Sequence, residues 1–313
     1  MIALATSNGK SHPESDSTLR RQGAVLVTGA SSGIGYATAL RLARNGTIVF
    51  AGIRRQIDGE SLLREGAGNI KPMLLDVADA TSLLRARAKI DGSREYRLDG
   101  LVNNAGTALA GPLELLPIAE IRKQFEVNFF GALATIQTFL PLLRESRGRI
   151  VNVSSISGKL AAPLIGAYAA SKFALEAASD ALRVELRPFG ISVSVIEPGS
   201  VGTPLWRRST AASLKLLDEA PLERRAGYDA TIRLMMRRAQ QHDLRGVGPE
   251  RVARAIERAL TAHRPQARYL VGIDARLRLL LARLPEPLRD FVITAALGGA
   301  MRRSDPVAGA RGW

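Results

Sequence analysis

The chain has 313 residues, of which 46% are hydrophobic and 23% charged, a balance that reads as a globular domain and excludes a disordered chain. It has no cysteine, which excludes disulfides, thiolate metal sites and cysteine nucleophiles, and its three histidines (His12, His242, His263) are scattered without metal-ligand spacing. The net charge of +15 raises nucleic-acid binding as a hypothesis, but the basic residues form only doublets (Arg224-Arg225, Arg237-Arg238, Arg302-Arg303) with few aromatics between them, the pattern of a charged, solvated surface.

Residues 1–22 mix Ser, Asp, Glu, Lys and Pro without a period and read as a mobile tail. They lack the long apolar region of a signal peptide. Phe291–Met301, the longest nearly apolar stretch, is too short to cross a bilayer. A cytoplasmic protein is expected, with peripheral membrane contact left open.

Ala24–Thr28 predicts a first strand and Tyr36–Asn45 a helix that ends before Gly46. Strands follow at Thr47–Ala51, Met73–Leu75, Leu101–Asn103, Ile150–Val153 and Ser192–Ile196, with Tyr269–Val271 as a last edge strand. Near-continuous apolar strands alternating with helices predict an α/β fold, a doubly wound parallel sheet covered on both faces. Residues 204–248 break the rhythm: they are arginine-rich, helical in pattern and without a strand. They read as an insertion over the carboxyl edge of the sheet, a substrate lid within one domain spanning 23–284. Arg251–Ala262 reads as a helix returning to the core. Arg276–Leu284 predicts a core-capping helix or, alternatively, a monotopic interfacial one. Residues 285–313 form a C-terminal extension.

Val27-Thr28-Gly29-Ala30-Ser31-Ser32-Gly33-Ile34-Gly35 lies between the first strand and the first helix. There, Gly29 permits a tight turn, Gly33 lets backbone approach a pyrophosphate, and Gly35 allows close helix–sheet packing. Backbone N–H groups at the helix N-terminus meet the phosphate charge. This is the signature of a Rossmann-type nucleotide fold. The end of the second strand declares the cofactor, since an acidic residue suits NAD and a basic one the 2′-phosphate of NADP. Gly52-Ile53-Arg54-Arg55 has no carboxylate until Asp58. Arg54, then Arg55, therefore favours NADP, with NAD as the alternative, although Ser32 supplies no second basic clamp.

Tyr168 and Lys172 stand four apart in Tyr-Ala-Ala-Ser-Lys, with Ser155 upstream. On a helix over 168–187 that spacing stacks phenol and ammonium on one face. Lowering a phenol from its ordinary value near 10 to about 7 needs roughly 4 kcal/mol. One ammonium about 4 Å away at an effective dielectric near 20 supplies about that much. The pair reads as an acid/base with Ser155 holding the reacting oxygen. Alone, it also fits an exposed helix face, since such a pair arises by chance in roughly one sequence in nine.

Together these motifs resemble the short-chain dehydrogenase/reductase family from about Gly23 to Thr203. Thr28-Gly29-x-x-x-Gly33-x-Gly35 matches its cofactor loop, with Ser31, Ser32 and Ile34 inside it. Asp76-Val77 matches the adenine contact, and Asn103-Asn104-Ala105-Gly106 the segment that steadies the sheet and passes the cofactor. Asn128 matches the helix asparagine that holds a water in a proton relay to the lysine. Ser155, Tyr168 and Lys172 match the catalytic set, and Pro198-Gly199-Ser200-Val201-Gly202-Thr203 the nicotinamide-binding stretch. The resemblance implies hydride transfer between an alcohol or carbonyl and a nicotinamide, with Tyr168 as acid/base and Lys172 also binding the nicotinamide ribose. It implies no metal and a homo-oligomer.

Residues Ser171–Glu176, Glu185–Gly190 and Arg268–Gly272 are most similar to the retinol dehydrogenase and 17β-hydroxysteroid dehydrogenase branch, which handles lipophilic alcohols and ketones. Apolar pocket candidates are Leu109, Leu160, Leu164, Leu205 and Trp206, of which Leu160 and Trp206 are singled out. The rival enzyme reading is a 3-oxoacyl-carrier-protein-type reductase, whose acidic carrier a basic surface would attract. The non-enzyme readings are a basic nucleic-acid-binding protein and a membrane-surface scaffold.

Overall fold

The computed structural model describes residues 21–93, 95–228, 230–234, 236–237 and 246–297. His12, His242, most of the tail assigned to 1–22 and part of the 204–248 insertion lie outside them. A seven-stranded parallel sheet forms the centre: β1 (Gln22–Val27), β2 (Ile48–Ile53), β3 (Ile70–Leu74), β4 (Tyr96–Asn103), β5 (Arg149–Val153), β6 (Ser192–Pro198) and β7 (Arg268–Val271). Its order is β3-β2-β1-β4-β5-β6-β7, so the winding reverses between β1 and β4. Every predicted strand is present, but several begin earlier than their apolar runs. β1 takes up Gln22 from the assigned tail. β3 opens on Ile70-Lys71-Pro72, where a lysine and a proline hide an outer strand. β4 carries Arg97 and Asp99, an exposed pair hydrogen-bonded at 2.6 and 3.0 Å, in its first half.

Central strands are apolar on both faces because helices cover both; every residue of β2 is buried. On one face, α1 (Gly33–Arg44) and the helix Pro249–Thr261 pack Leu42, Val252 and Ile256 onto Val27 and Val49. On the other, α3 (Ala80–Asp91) and α5 (Gly131–Ser146) pack Leu83, Ile136, Phe139 and Leu143 onto Leu26 and Leu101. Between these lies α2 (Glu60–Glu65) in sequence, while α4 (Ile118–Phe125) precedes α5 and joins it through a π-turn, Glu126–Phe130. The helical run Ile118–Ser146 is long and apolar enough to cross a membrane by length and composition, more so than Phe291–Met301. Its apolar face is the one packed on the sheet.

Next comes α6 (Gly166–Glu185), then, after β6, the insertion: α7 (Pro204–Asp218) and α8 (Leu222–Ala226). Pro204 at the first helical position suits the start of α7. The helix docks through Ser209, whose hydroxyl donates to Ala108 O, and Ser213, whose hydroxyl accepts from Ala110 N at 3.0 Å. Leu217 is fully buried beside Ala110, Leu164 and Ile232. Residues Val201 and Val247 close the base of the insertion by a parallel bridge. We number the remaining helices α9 (Pro249–Thr261), α10 (Ile273–Ala282) and α11 (Glu286–Leu297). α10 lies half against the core: Leu279 and Leu281 are half-buried. Asp274, accepting from Ser200 N at 2.7 Å, and buried Ala275 anchor it, while Ile273, Leu277 and Leu280 are exposed.

Candidate active site

A cleft of about 450 Å³ opens at the carboxyl ends of β1, β2 and β4, where the strand order reverses. Its floor is the loop after β1. Thr28 Oγ1 accepts from Asn104 N and Ala105 N, both at 3.0 Å. Asn104 Nδ2 returns hydrogen bonds to Thr28 O at 2.9 Å and Gly29 O at 3.1 Å. This two-way staple requires glycine at two points. A Cβ on Gly29, which has φ +64°, would stand 2.8 Å from Ala105 Cα, and one on Gly35 would stand 2.4 Å from both Asn104 Nδ2 and Gly29 O. Ser32 precedes α1 in extended conformation without a capping side-chain bond, and the first turn holds no acidic residue. Its free N–H groups suit an anion.

Around this floor the cleft is lined by Ser31, Ser32, Gly33, Ile34, Arg54, Asp76, Val77, Asn104, Ala105, Gly106 and Thr203. A cradle that a Cβ would fill, an uncapped helix start and a guanidinium beyond them fit the pyrophosphate and ribose end of a dinucleotide. Thr28 and Gly35 act beneath the lining rather than in it. Arg55 points elsewhere: Asp58 takes it by hydrogen bonds of 3.1 and 2.6 Å. That guanidinium holds the Asp58 carboxyl below its usual range, with smaller help from Arg208 and Arg54.

The other end holds the acid/base set. α6 brings Tyr168 and Lys172 into the lining, and β5 ends beside them at Val153-Ser154-Ser155. Tyr168 is 6% exposed and its hydroxyl is hydrogen-bonded to Ser155. Lys172 Nζ donates to Val153 O at 2.9 Å and sits 5.8 Å from the centre of the Tyr168 ring. Burial pushes the phenol up to about 12, against which the Ser155 hydrogen bond pulls less strongly. Burial also brings the Lys172 ammonium down to about 8, opposed by Glu176. The estimate of an ammonium about 4 Å from the oxygen, lowering the phenol to about 7, is therefore corrected for the protein without cofactor. The ammonium is tied to backbone, and desolvation dominates.

Asn128 occupies the π-turn, a distortion common at functional sites. Its Oδ1 accepts from Thr107 N at 2.8 Å, and its Nδ2 donates to Thr107 O at 2.8 Å and Ser171 Oγ at 3.0 Å. Ser171 in turn donates to Tyr168 O at 2.7 Å. The amide thus fastens the Thr107 loop to α6. Behind it, Asn103 Nδ2 donates to Asn152 Oδ1 at 3.0 Å and Asn152 Nδ2 to Ser179 Oγ at 2.8 Å, locking β4, β5 and α6 together.

Three members of the expected nicotinamide stretch lie outside the lining. Gly199 N donates to Val271 O at 2.9 Å, Pro198 ends β6 against β7, and Val201 is bridged to Val247; only Thr203 of the expected set reaches the cleft. Among the apolar candidates, Leu205 lines the cleft. Trp206 packs edge-on to Tyr168, ring centres 5.2 Å apart at 70°. Leu160 is buried outside the lining, and Leu109 and Leu164 belong to small core clusters under the insertion. Sequence reading missed Ser154, Thr107 and Arg208 in the lining. Ser154 adjoins a recognised motif; Arg208 carries no signal until α7 is folded over the cleft.

A glycine-floored cleft at the switch point of a parallel sheet, with a buried Ser–Tyr–Lys set at one end, defines a dinucleotide-dependent oxidoreductase. The short chain dehydrogenase family profile matches residues 23–213, and the chain belongs to that family. It is 39% identical over 255 residues to a 3-amino-tetrahydro-pyrrolizinone reductase of Xenorhabdus hominickii, covering 80% of this chain and 87% of the relative. It is 36% identical over 281 residues to retinol dehydrogenase 5 of Homo sapiens, covering 87% and 88%. Among solved structures, the closed form of a serine dehydrogenase complexed with NADP+ superposes with a TM-score of 0.66 at 26% identity, covering 79% of this chain and 93% of that one.

Proposed function

We propose that the protein interconverts a lipophilic alcohol and its carbonyl with NADP as the preferred cofactor, Tyr168 serving as acid/base. The carrying observation is the setting of Tyr168: a buried hydroxyl paired with Ser155, a ring packed edge-on by Trp206, and Leu205 of the insertion in the same cleft. Arg54 and Arg208 support the preference for NADP, because both line the cleft and both bear on Asp58. When bound, the cofactor supplies or accepts the hydride.

The chain's own residues handle the proton and the oxygen. Ser155 Oγ hydrogen-bonds the substrate oxygen and orients it beside the Tyr168 hydroxyl, which gives or takes the proton. Lys172 supplies positive charge that favours the phenolate and has an ammonium available for ribose hydroxyls. Trp206 and Leu205 exclude water and contact apolar substrate. A burial-raised phenol is a reluctant acid, so the cationic surroundings must lower it once the cleft is filled.

A panel of retinoids, steroids and carrier-bound β-ketoacyl substrates, followed by nicotinamide absorbance with NADPH and NADH in parallel, tests this reading. Turnover of the lipophilic compounds is expected, lost in Tyr168→Phe with NADPH affinity retained. Carrier-bound substrates as the best, or substantial turnover by Tyr168→Phe, would sink it.

A further inference from the structure

Behind Lys172, on the side away from the cleft, lies a charged cluster that the reaction does not use directly. Glu176 and Asp180 come from α6, Glu197 from β6, Lys159 from the turn after β5, and Arg268 from β7. Both glutamates are almost fully buried, 4% and 2% exposed. Lys159 Nζ stands 2.9 Å from Glu176 Oε2 and 3.8 Å from Glu197 Oε1. Arg268 reaches Glu176 at 3.3 Å, Glu197 at 3.0 Å and Asp180 at 2.7 Å. The turn after β5 presses on α6 here: a Cβ on Gly158 would meet Glu176 Cγ at 3.0 Å and Lys172 O at 3.1 Å.

The two buried glutamates share the same two cations, Lys159 and Arg268. Glu176 Oε1 and Glu197 Oε1 have no aligned donor among the described residues. Two buried carboxylates this close repel, which disfavours charge on Glu197. Glu176 is one helical turn from Lys172 on the same face of α6, so its charge acts on that ammonium. The groups gathered near Lys172 Nζ at the loop after β4, Gly106 and Asn128 of the π-turn, are neutral.

We propose that Glu176, clamped by Lys159 and Arg268 beside Glu197, is a positioning residue that sets the charge of Lys172 and thereby the pH at which Tyr168 works. Desolvation of Glu197 followed by the Glu176 charge pushes the Glu197 carboxyl up to about 7, so the cluster changes charge near neutrality. The proposal rests on the oxidoreductase reading for its kinetic arm only.

Glu176→Gln removes negative charge beside Lys172, which then favours the ammonium less, and Tyr168 favours the phenolate less. In either direction of turnover the limb governed by Tyr168 moves to higher pH, by about one unit or more for a charge about 6 Å away. Glu197→Gln, which cannot ionise, moves it the same way by less, and Glu176→Asp restores the wild-type profile. The second arm needs no turnover. A carboxyl raised from 4.5 to about 7 on folding stabilises the fold below 4.5 and loses that contribution as pH rises through 7. The Tm of cofactor-free wild type should therefore carry a downward slope between about pH 5 and about pH 8 that Glu197→Gln flattens. A folded glutamine variant whose pH profile superposes on wild type, or a Tm slope that Glu197→Gln leaves unchanged, overturns the proposal. Wild type without turnover on any alcohol or carbonyl would fail the oxidoreductase reading instead, and the Tm arm would still decide the cluster.

Discussion

Arg54→Ala removes the guanidinium that lines the cleft just after β2. A unit charge about 4 Å from a phosphate charge is worth about 4 kcal/mol at an effective dielectric near 20. Arg54 is exposed, so water and salt screen much of this. The net value of a hydrogen bond to a charged group, about 1.5–3 kcal/mol, sets the scale. We take the low end, about 1.5–2 kcal/mol, because of the exposure, which is a roughly ten- to thirtyfold loss. The neighbouring guanidinium cannot compensate, since Arg55 is held by Asp58 through two hydrogen bonds. The assay is titration of cofactor-free protein with NADPH and with NADH, read by nicotinamide fluorescence. The expected outcome is weaker NADPH binding with NADH within about twofold of wild type, and a shallower salt dependence for NADPH. Equal losses for both cofactors, or none for NADPH, would refute the assignment of Arg54 to the 2′-phosphate. Arg208→Ala, from the other wall, should lower NADPH affinity further in the double variant, by less than Arg54 does.

Thr28→Val leaves the Asn104 and Ala105 N–H groups without their acceptor and should cost about 2–4 kcal/mol, seen as a lower urea midpoint with unchanged slope. Gly35→Ala puts a Cβ 2.4 Å from Gly29 O, so the backbone must shift. It should weaken both cofactors at least about tenfold while the circular dichroism spectrum holds. Trp206→Ala removes the ring against Tyr168 and should raise KM for apolar substrates by about tenfold with a smaller change in kcat, measured by steady-state kinetics.

Much of this molecule could be read from its sequence because the readable signals are local. Continuous apolar runs of β1, β2, β5 and β6 reflect a sheet covered on both faces, and a glycine loop between strand and helix has a mechanism at each glycine. Reading failed where an element's reason lies far along the chain. The first half of β4 is polar, and only its pairing beside β1 makes it a strand. Sequence ranks Arg54 ahead of Arg55, and what separates their surroundings is Asp58 folding back on Arg55. Pro198, Gly199 and Val201 belong to a matching motif, but β7, the Val247 bridge and Asp274 draw them into the frame, and Thr203 is the expected member that lines the cleft. The leucines of α10 follow a helical period that suggests burial, yet Leu277 and Leu280 point outward while Leu279 and Leu281 are half-buried.

The Tyr168–Lys172 pair shows where sequence electrostatics goes astray. Spacing on a helix gives proximity, and proximity alone predicts a lowered phenol. The fold adds a second quantity, burial, which opposes charge on both groups at once: the phenol rises to about 12 and the ammonium falls to about 8. The ammonium that should stabilise the phenolate is thus itself disfavoured by burial, and the Glu176 charge opposes that loss. On the proposed reading, a charge that keeps Lys172 protonated supports Tyr168. In this chain the nearest such charge is Glu176, one turn further along α6, whose own partners are supplied by β6, β7 and the turn after β5. The working unit is thus a row of charges along one helix face, with its far end fastened to the edge of the sheet.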